Sequence, residues 1–271
     1  MRSRTLELLL LTFSAAGCGA SASAAPAEWR RVVLVELFTS QGCSSCPPAD
    51  AFVRELPAQG LGRDKVVPLT FHVDYWDGLG WKDPFATPVF TERQRAYARS
   101  GNLRSPDGHA GLDGIYTPQM IVDGLVHFSG QRRQDAIREM MRAALRPAAF
   151  DLAAHATVQG STIDVEVAAI HRGDTKPDAA WRVIVALAAI KTRTAVARGE
   201  NAGETLEEAA VVRALSDKTP LAPASPAPVK VQLSKPSDLP WSSIDVVAFV
   251  QSRATGEVGA VSVVDRKELI R

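Results

Sequence analysis

Val32 to Phe38 is an apolar run broken only by Glu36. It is β-branched and too short for a helix, which predicts a strand buried on both faces. Val66 to Val73 has the same character, and Pro68 puts its start near the edge of a ladder. Between the two runs, the spacing predicts a helix opened by Cys43, with Phe52, Val53 and Leu56 on one face. Pro47 and Pro48 fit only in its first turn, where N–H groups lack partners; Gly60 and Gly62 end it. Val89, Phe90, Arg93, Gln94 and Tyr97 recur at helical spacing and predict a helix over 87–100. Tyr116 to Val122 predicts a strand entered through Pro118. Asp123-Gly124 is a hairpin turn returning through Val126 to Phe128. A last helix over 131–145 turns Ile137, Met140, Met141 and Leu145 inward.

Beyond Pro147 the texture changes. Short alternating or β-branched runs follow at roughly regular spacing: 150–158, 162–169, 181–190, 195–198, 209–214, 229–233, 244–251 and 258–264. Turn residues separate them, and 221–228 is a Pro/Ala linker. This pattern predicts a β-sandwich of immunoglobulin or fibronectin type. The chain therefore reads as an α/β domain over 25–148 and an all-β sandwich over 149–271.

The first residues carry an export pattern: Arg2 and Arg4, an apolar stretch from Leu6 to Ala16, then Ala22-Ser23-Ala24 as a cleavage site. A signal peptide over 1–24 implies a periplasmic or secreted protein. Ala15-Ala16-Gly17-Cys18 resembles a lipoprotein cleavage box with Ala for the usual Leu, so a lipid anchor at Cys18 is the alternative. No later stretch has the length and apolarity of a transmembrane helix. The 31 basic and 30 acidic residues give a net charge of +1, with no electrostatic case for nucleic acid or an acidic membrane surface.

Export to an oxidising compartment changes the meaning of Cys43-Ser44-Ser45-Cys46. A strand, a short turn and a Cys-x-x-Cys at a helix start is how redox-active dithiols are built. The helix N-terminus favours a thiolate. This assigns Cys43 as an exposed nucleophile and Cys46 as the resolving thiol one turn deeper. The competing reading is a structural disulfide, although it closes only a short loop. Glu36 is either a buried acid suited to proton transfer or a residue pointing out of one strand face. His72, Asp74 and Asp77 could join the thiols around copper, or cap turns. Trp76 and Trp81 read as core or lid residues. Gly199 to Gly203 lacks the Lys-Ser/Thr of a phosphate loop and reads as a turn.

The order strand, Cys-x-x-Cys helix, strand, helix, proline-entered hairpin, helix resembles a thioredoxin fold. A closer likeness lies in the run from Val35 to Asp50, in His72 to Asp77 with Leu79-Gly80-Trp81, and in Arg93-Gln94 with Tyr97. Tyr116 to Gln119, Val122 to Gly124, Gly199 to Gly203 and Val211 to Arg213 extend it. These stretches are similar to a family of secreted bacterial proteins known as domain of unknown function 1223. The loop 101–114 is longer than that family implies. The resemblance implies an α/β thioredoxin-like fold and a dithiol for the first domain, ahead of the all-β domain that the run spacing predicts, with a cis bond at Thr117-Pro118. It also implies a backbone edge there for an extended peptide, with Tyr116 and Trp76 as further substrate-binding candidates. It makes Glu36 the acid that serves the resolving thiol. The expected function is an exported thiol–disulfide oxidoreductase acting on protein thiols or disulfides with an unidentified redox partner and no cofactor. The alternative is a non-catalytic binding or copper-carrying module on the same scaffold.

Overall fold

The computed structural model describes residues 29–109, 114–173, 181–216, 219–221 and 227–270. The expected signal peptide over 1–24 and the lipidation site Cys18 lie outside the described residues. Strand β1 (Val33–Thr39) is buried along its whole length. Helix α1 (Pro47–Glu55) follows, then β2 (Val66–His72) and α2 (Pro88–Ser100). The Thr87 side chain caps α2 and Gly101 ends it in the left-handed conformation. The hairpin β3 (Gln119–Val122) and β4 (Val126–Ser129) leads to α3 (Arg133–Ala144). In the second half come β5 (Phe150–Gln159), β6 (Thr162–His171), β7 (Trp181–Ala195), β8 (Thr205–Leu215) and the two-residue β9 (Thr219–Pro220). The chain closes with β10 (Val229–Ser234), β11 (Ile244–Ser252) and β12 (Val258–Val263).

The expectation of an α/β thioredoxin-like domain followed by a separate immunoglobulin-like sandwich is overturned. A single nine-stranded mixed sheet runs through both halves in the order β12-β11-β7-β8-β2-β1-β3-β4, with β9 beside β7. The described residues hold three short α-helices. Among the described residues only β10-β6-β5 forms a sheet of its own. The join is the parallel contact of β2 with β8, where one position pairs, Thr70 with Val211. Pro68, which has no N–H to give, lies in the part of β2 that β8 leaves unpaired.

Packing explains why the halves do not separate. The sheet rolls until β12 reaches back to β3, with the Val258 N–H donating to the Asp123 carbonyl at 2.9 Å. Leu34, Phe38, Phe71, Phe90 and Tyr97 of the first half therefore share one core with Ile184, Val212, Val247, Phe249 and Val258 of the second. A second core lies between the outer face of β7, β11 and β12 and the three-stranded sheet. A third packs α1 and α3 on the Val33, Val35 and Leu37 face of β1. Two helix expectations also change. Helix α3 buries Ala136, Met140, Ala143 and Ala144, while Met141 and Leu145 are 53% and 41% exposed. Helix α1 opens at Pro47, with Cys46 as its N-cap, rather than at Cys43.

Candidate functional site: a covered disulfide at the ends of two strands

Strands β1 and β2 run parallel in register, Thr39 beside His72, and the chain leaves both at the same end of the sheet. After β1 a tight turn carries Cys43 and Cys46, which form a disulfide with Cα atoms 5.5 Å apart. The Cys43 N–H donates to the Ser40 carbonyl at 3.1 Å and the Cys46 N–H to the Cys43 carbonyl at 3.2 Å. Two prolines at the first helical positions confine α1 to starting at Pro47. Cys43 therefore sits in the turn ahead of the helix. The Cys43 sulfur lies 3.2 Å from the Ser45 hydroxyl.

The expected exposure of Cys43 is not found. Both cysteines are 0% exposed, although Ser44 and Ser45 between them face solvent. Three segments pack against the cysteine turn. Trp76 packs over Gly42, where a Cβ would meet its side chain at 3.3 Å. The Trp76 indole N–H donates to the Thr117 hydroxyl at 2.8 Å, and Thr117-Pro118 is a cis peptide. Beside them the Gln131 amide donates to the Ser45 carbonyl at 2.7 Å. The third segment comes from the second half. The tip of the β7–β8 hairpin, Gly199 to Gly203, lies on the cysteine turn. The Asn201 amide donates to the carbonyls of Gln41 at 2.9 Å and Cys43 at 3.0 Å. Glu200 accepts from the Ser44 N–H at 2.9 Å and from its hydroxyl at 2.7 Å.

Directly below the turn lies a buried polar cluster. Asp50, four residues after Cys46 on α1, accepts from the Thr39 hydroxyl at 3.2 Å. His72 Nδ1 donates to Asp83 Oδ2 at 2.7 Å, which aims Nε2 toward Glu208 Oε1 at 3.6 Å. Glu208 of β8 accepts from Gln41 at 2.9 Å and Thr192 at 3.1 Å. Asp50 Oδ1, His72 Nε2 and Glu208 Oε1 are buried and have no hydrogen-bond partner among the described residues. Burial, then the nearby Glu208 carboxylate, pushes the Asp50 carboxyl up to about 8. Burial alone would lower the His72 imidazole, but Glu208 and Asp83 outweigh it and raise it to about 9. Burial thus favours the protonated form of Asp50, and the surrounding carboxylates favour the charged form of His72. The same charge works in reverse on Asp83: burial would raise it, and His72 holds it below the usual carboxylate range.

Of the residues picked from sequence, Cys43, Cys46, Thr117, Pro118 and Trp76 come together. Glu36 does not join them. It is buried, on the strand face opposite α1, and its carboxylate is taken by Arg93 Nε at 2.6 Å and by the Tyr97 hydroxyl. A residue already in a buried ion pair is poorly placed to serve Cys46; Asp50 is the acid on that side. The Tyr116 hydroxyl meets His127 Nδ1 at 3.2 Å rather than the cysteine turn. Asp74 bonds to Thr91, and Asp77 accepts from the Asp83 N–H at 3.1 Å. Among the described residues no three His, Cys, Asp or Glu side chains are arranged to hold a metal ion. Sequence reasoning passed over Asp50, Glu200, Asn201 and Glu208. Asp50 carried a signal, a charged residue between Ala49 and Phe52 on the buried face of α1. The glycine-flanked 199–203 segment carried another, and Gly199 and Gly203 do adopt positive φ.

Comparison with solved structures supports this arrangement as a recurring fold. A crystal structure of a protein from Agrobacterium tumefaciens is 25% identical, with a TM-score of 0.60, covering 86% of this chain and 94% of that one. HBP35 of Porphyromonas gingivalis is similar in fold at 13% identity, with a TM-score of 0.59 over 88% of this chain and 76% of its own. No curated protein matches. A family model described as a protein of unknown function, DUF1223, matches residues 34–251, and the chain belongs to that family.

Proposed function

We propose that the chain is an exported thiol–disulfide oxidoreductase in which Cys43–Cys46 is the exchanging group. The observation that carries this reading is the disulfide at the start of α1 with a buried carboxyl, Asp50, one helical turn beyond Cys46, whose pKa burial raises. Side chains four apart on a helix have Cβ atoms about 5–6 Å apart. In the exchange, a substrate thiolate attacks the Cys43 sulfur and forms a new S–S bond. The Cys43–Cys46 bond breaks, and its electron pair leaves on Cys46, which takes the Asp50 proton. The Asp50 carboxylate that results faces the charged His72. A second substrate thiolate then displaces Cys43, so the substrate dithiol is oxidised and the protein disulfide reduced. The reverse sequence reduces a substrate disulfide. The Ser45 hydroxyl beside the Cys43 sulfur favours its thiolate. Thr117 and Pro118, beside Trp76 near the cysteine turn, would form the surface along which an extended peptide lies.

The full burial of both cysteines favours a second reading, a static disulfide in a non-catalytic binding module. The Cys46→Ser variant separates the two. With the resolving thiol gone, Cys43 is expected to accumulate mixed disulfides with exported proteins, seen as adducts that a reductant releases. Adducts no more abundant than in the Cys43→Ser/Cys46→Ser double variant would favour the static disulfide.

A further inference from the structure

We propose that the tip of the β7–β8 hairpin is a strap over the disulfide, which a partner must lift before either sulfur can be reached. The strap is built as a separate element. Strand β7 runs past the body of the sheet, and from Ile190 to Ala195 its residues alternate between half-buried and exposed. The hairpin closes on itself, Val196 N–H to Glu204 carbonyl at 2.9 Å and Gly203 N–H to Val196 carbonyl at 2.8 Å. Its tip therefore keeps its shape whether or not it touches the cysteine turn.

The tip holds the turn through polar groups alone, while the arms of the hairpin below it add bonds from the Gln41 amide to Thr194 at 3.0 Å and Glu208 at 2.9 Å. Glu200 is exposed and grips the Ser44 N–H and hydroxyl. Asn201 is buried and ties the carbonyls on either side of Gly42. Gly199 meets Gly80, where a Cβ would come within 3.3 Å of the Gly199 Cα, so two glycines let the strap lie flat beside Trp81. Polar contacts of this kind let go more readily than a packed apolar core, because water replaces each lost bond once the tip lifts. Glu200 is held below the usual carboxylate range by its two bonds to Ser44, so the latch is charged at neutral pH.

This inference gives the exchange reading above a route to a buried disulfide, but its test needs no natural partner. The probe is a water-soluble phosphine, tris(2-carboxyethyl)phosphine, applied to the folded full chain. The phosphine gives an electron pair and leaves as its oxide, with oxygen from water; the disulfide takes two electrons and two protons. The rate is read by mass as thiols are alkylated. Wild type is expected to react slowly, and Glu200→Ala faster by roughly tenfold, since it loses two charge-assisted bonds. Glu200→Gln should fall between, and Asn201→Ala should at least match Glu200→Ala. Glu200 is at the surface, so its variants are expected to keep the wild-type unfolding temperature. Equal rates for wild type and both alanine variants would overturn the strap, as would a wild type that reacts as fast as an open peptide disulfide. Faster variants without trapping by Cys46→Ser would leave the strap standing and remove the exchange reading.

Discussion

A fragment ending at residue 148 is expected to lack a cooperative unfolding transition. The first-half core is unfinished without Ile184, Val212, Val247, Phe249 and Val258, all buried in it from the second half. Each such side chain is worth about 1.5–3 kcal/mol, and together they rival the whole stability of a domain, about 5–15 kcal/mol. Cutting there also strips β8 from the edge of β2 and removes the Val258 carbonyl that accepts from Arg31. Thermal scans by circular dichroism would show a gradual loss of signal, and the fragment would aggregate. A sharp transition within a few degrees of the full chain would mean that the first half completes its own core.

Arg93→Met is expected to be the most damaging single substitution away from the disulfide. The guanidinium lies under the sheet against the rings of Phe71, Tyr97 and Phe249, at 5.3–5.4 Å from their centroids. It holds Glu36 through Nε and reaches Gln251 at 3.1 Å. Burial would lower its pKa, but Glu36 outweighs that and raises it. Removing it strands a buried carboxylate, which costs about 3–5 kcal/mol and should lower the unfolding temperature by roughly 6–20 °C. The Glu36→Leu/Arg93→Met pair, with both charges gone, should recover most of the loss. The redox potential should not move in the double variant. A potential that shifts while stability recovers would return Glu36 to the chemistry of the cysteines.

Much of the local structure is legible in the residues alone. Runs of β-branched residues mark β1 and β2, and the Thr87 cap with Phe90, Gln94 and Tyr97 marks α2. The joining of the halves is not legible, because one paired position between β2 and β8 leaves no local pattern. Strand β7 reads as ending at Ile190, because beyond Ala189 it loses β11, pairs with β8 alone and alternates in exposure. The burial of Glu36 follows from its strand, but its partner lies 57 residues away. An arginine on the inward face of α2 was the available sign that a carboxylate waits opposite it. The exposure of Cys43 was misjudged for the same reason of distance: the groups covering it include Asn201, 158 residues on.

The central claim is that Cys43–Cys46 exchanges with external thiols, and the redox equilibrium of that pair tests it most directly. The full chain is brought to equilibrium in glutathione buffers of graded potential, free thiols are blocked, and the oxidised fraction is read by mass. A midpoint between about −270 and −120 mV, reached from both the oxidised and the reduced side, is the expected result. A midpoint below about −300 mV, the range of structural disulfides, would contradict it.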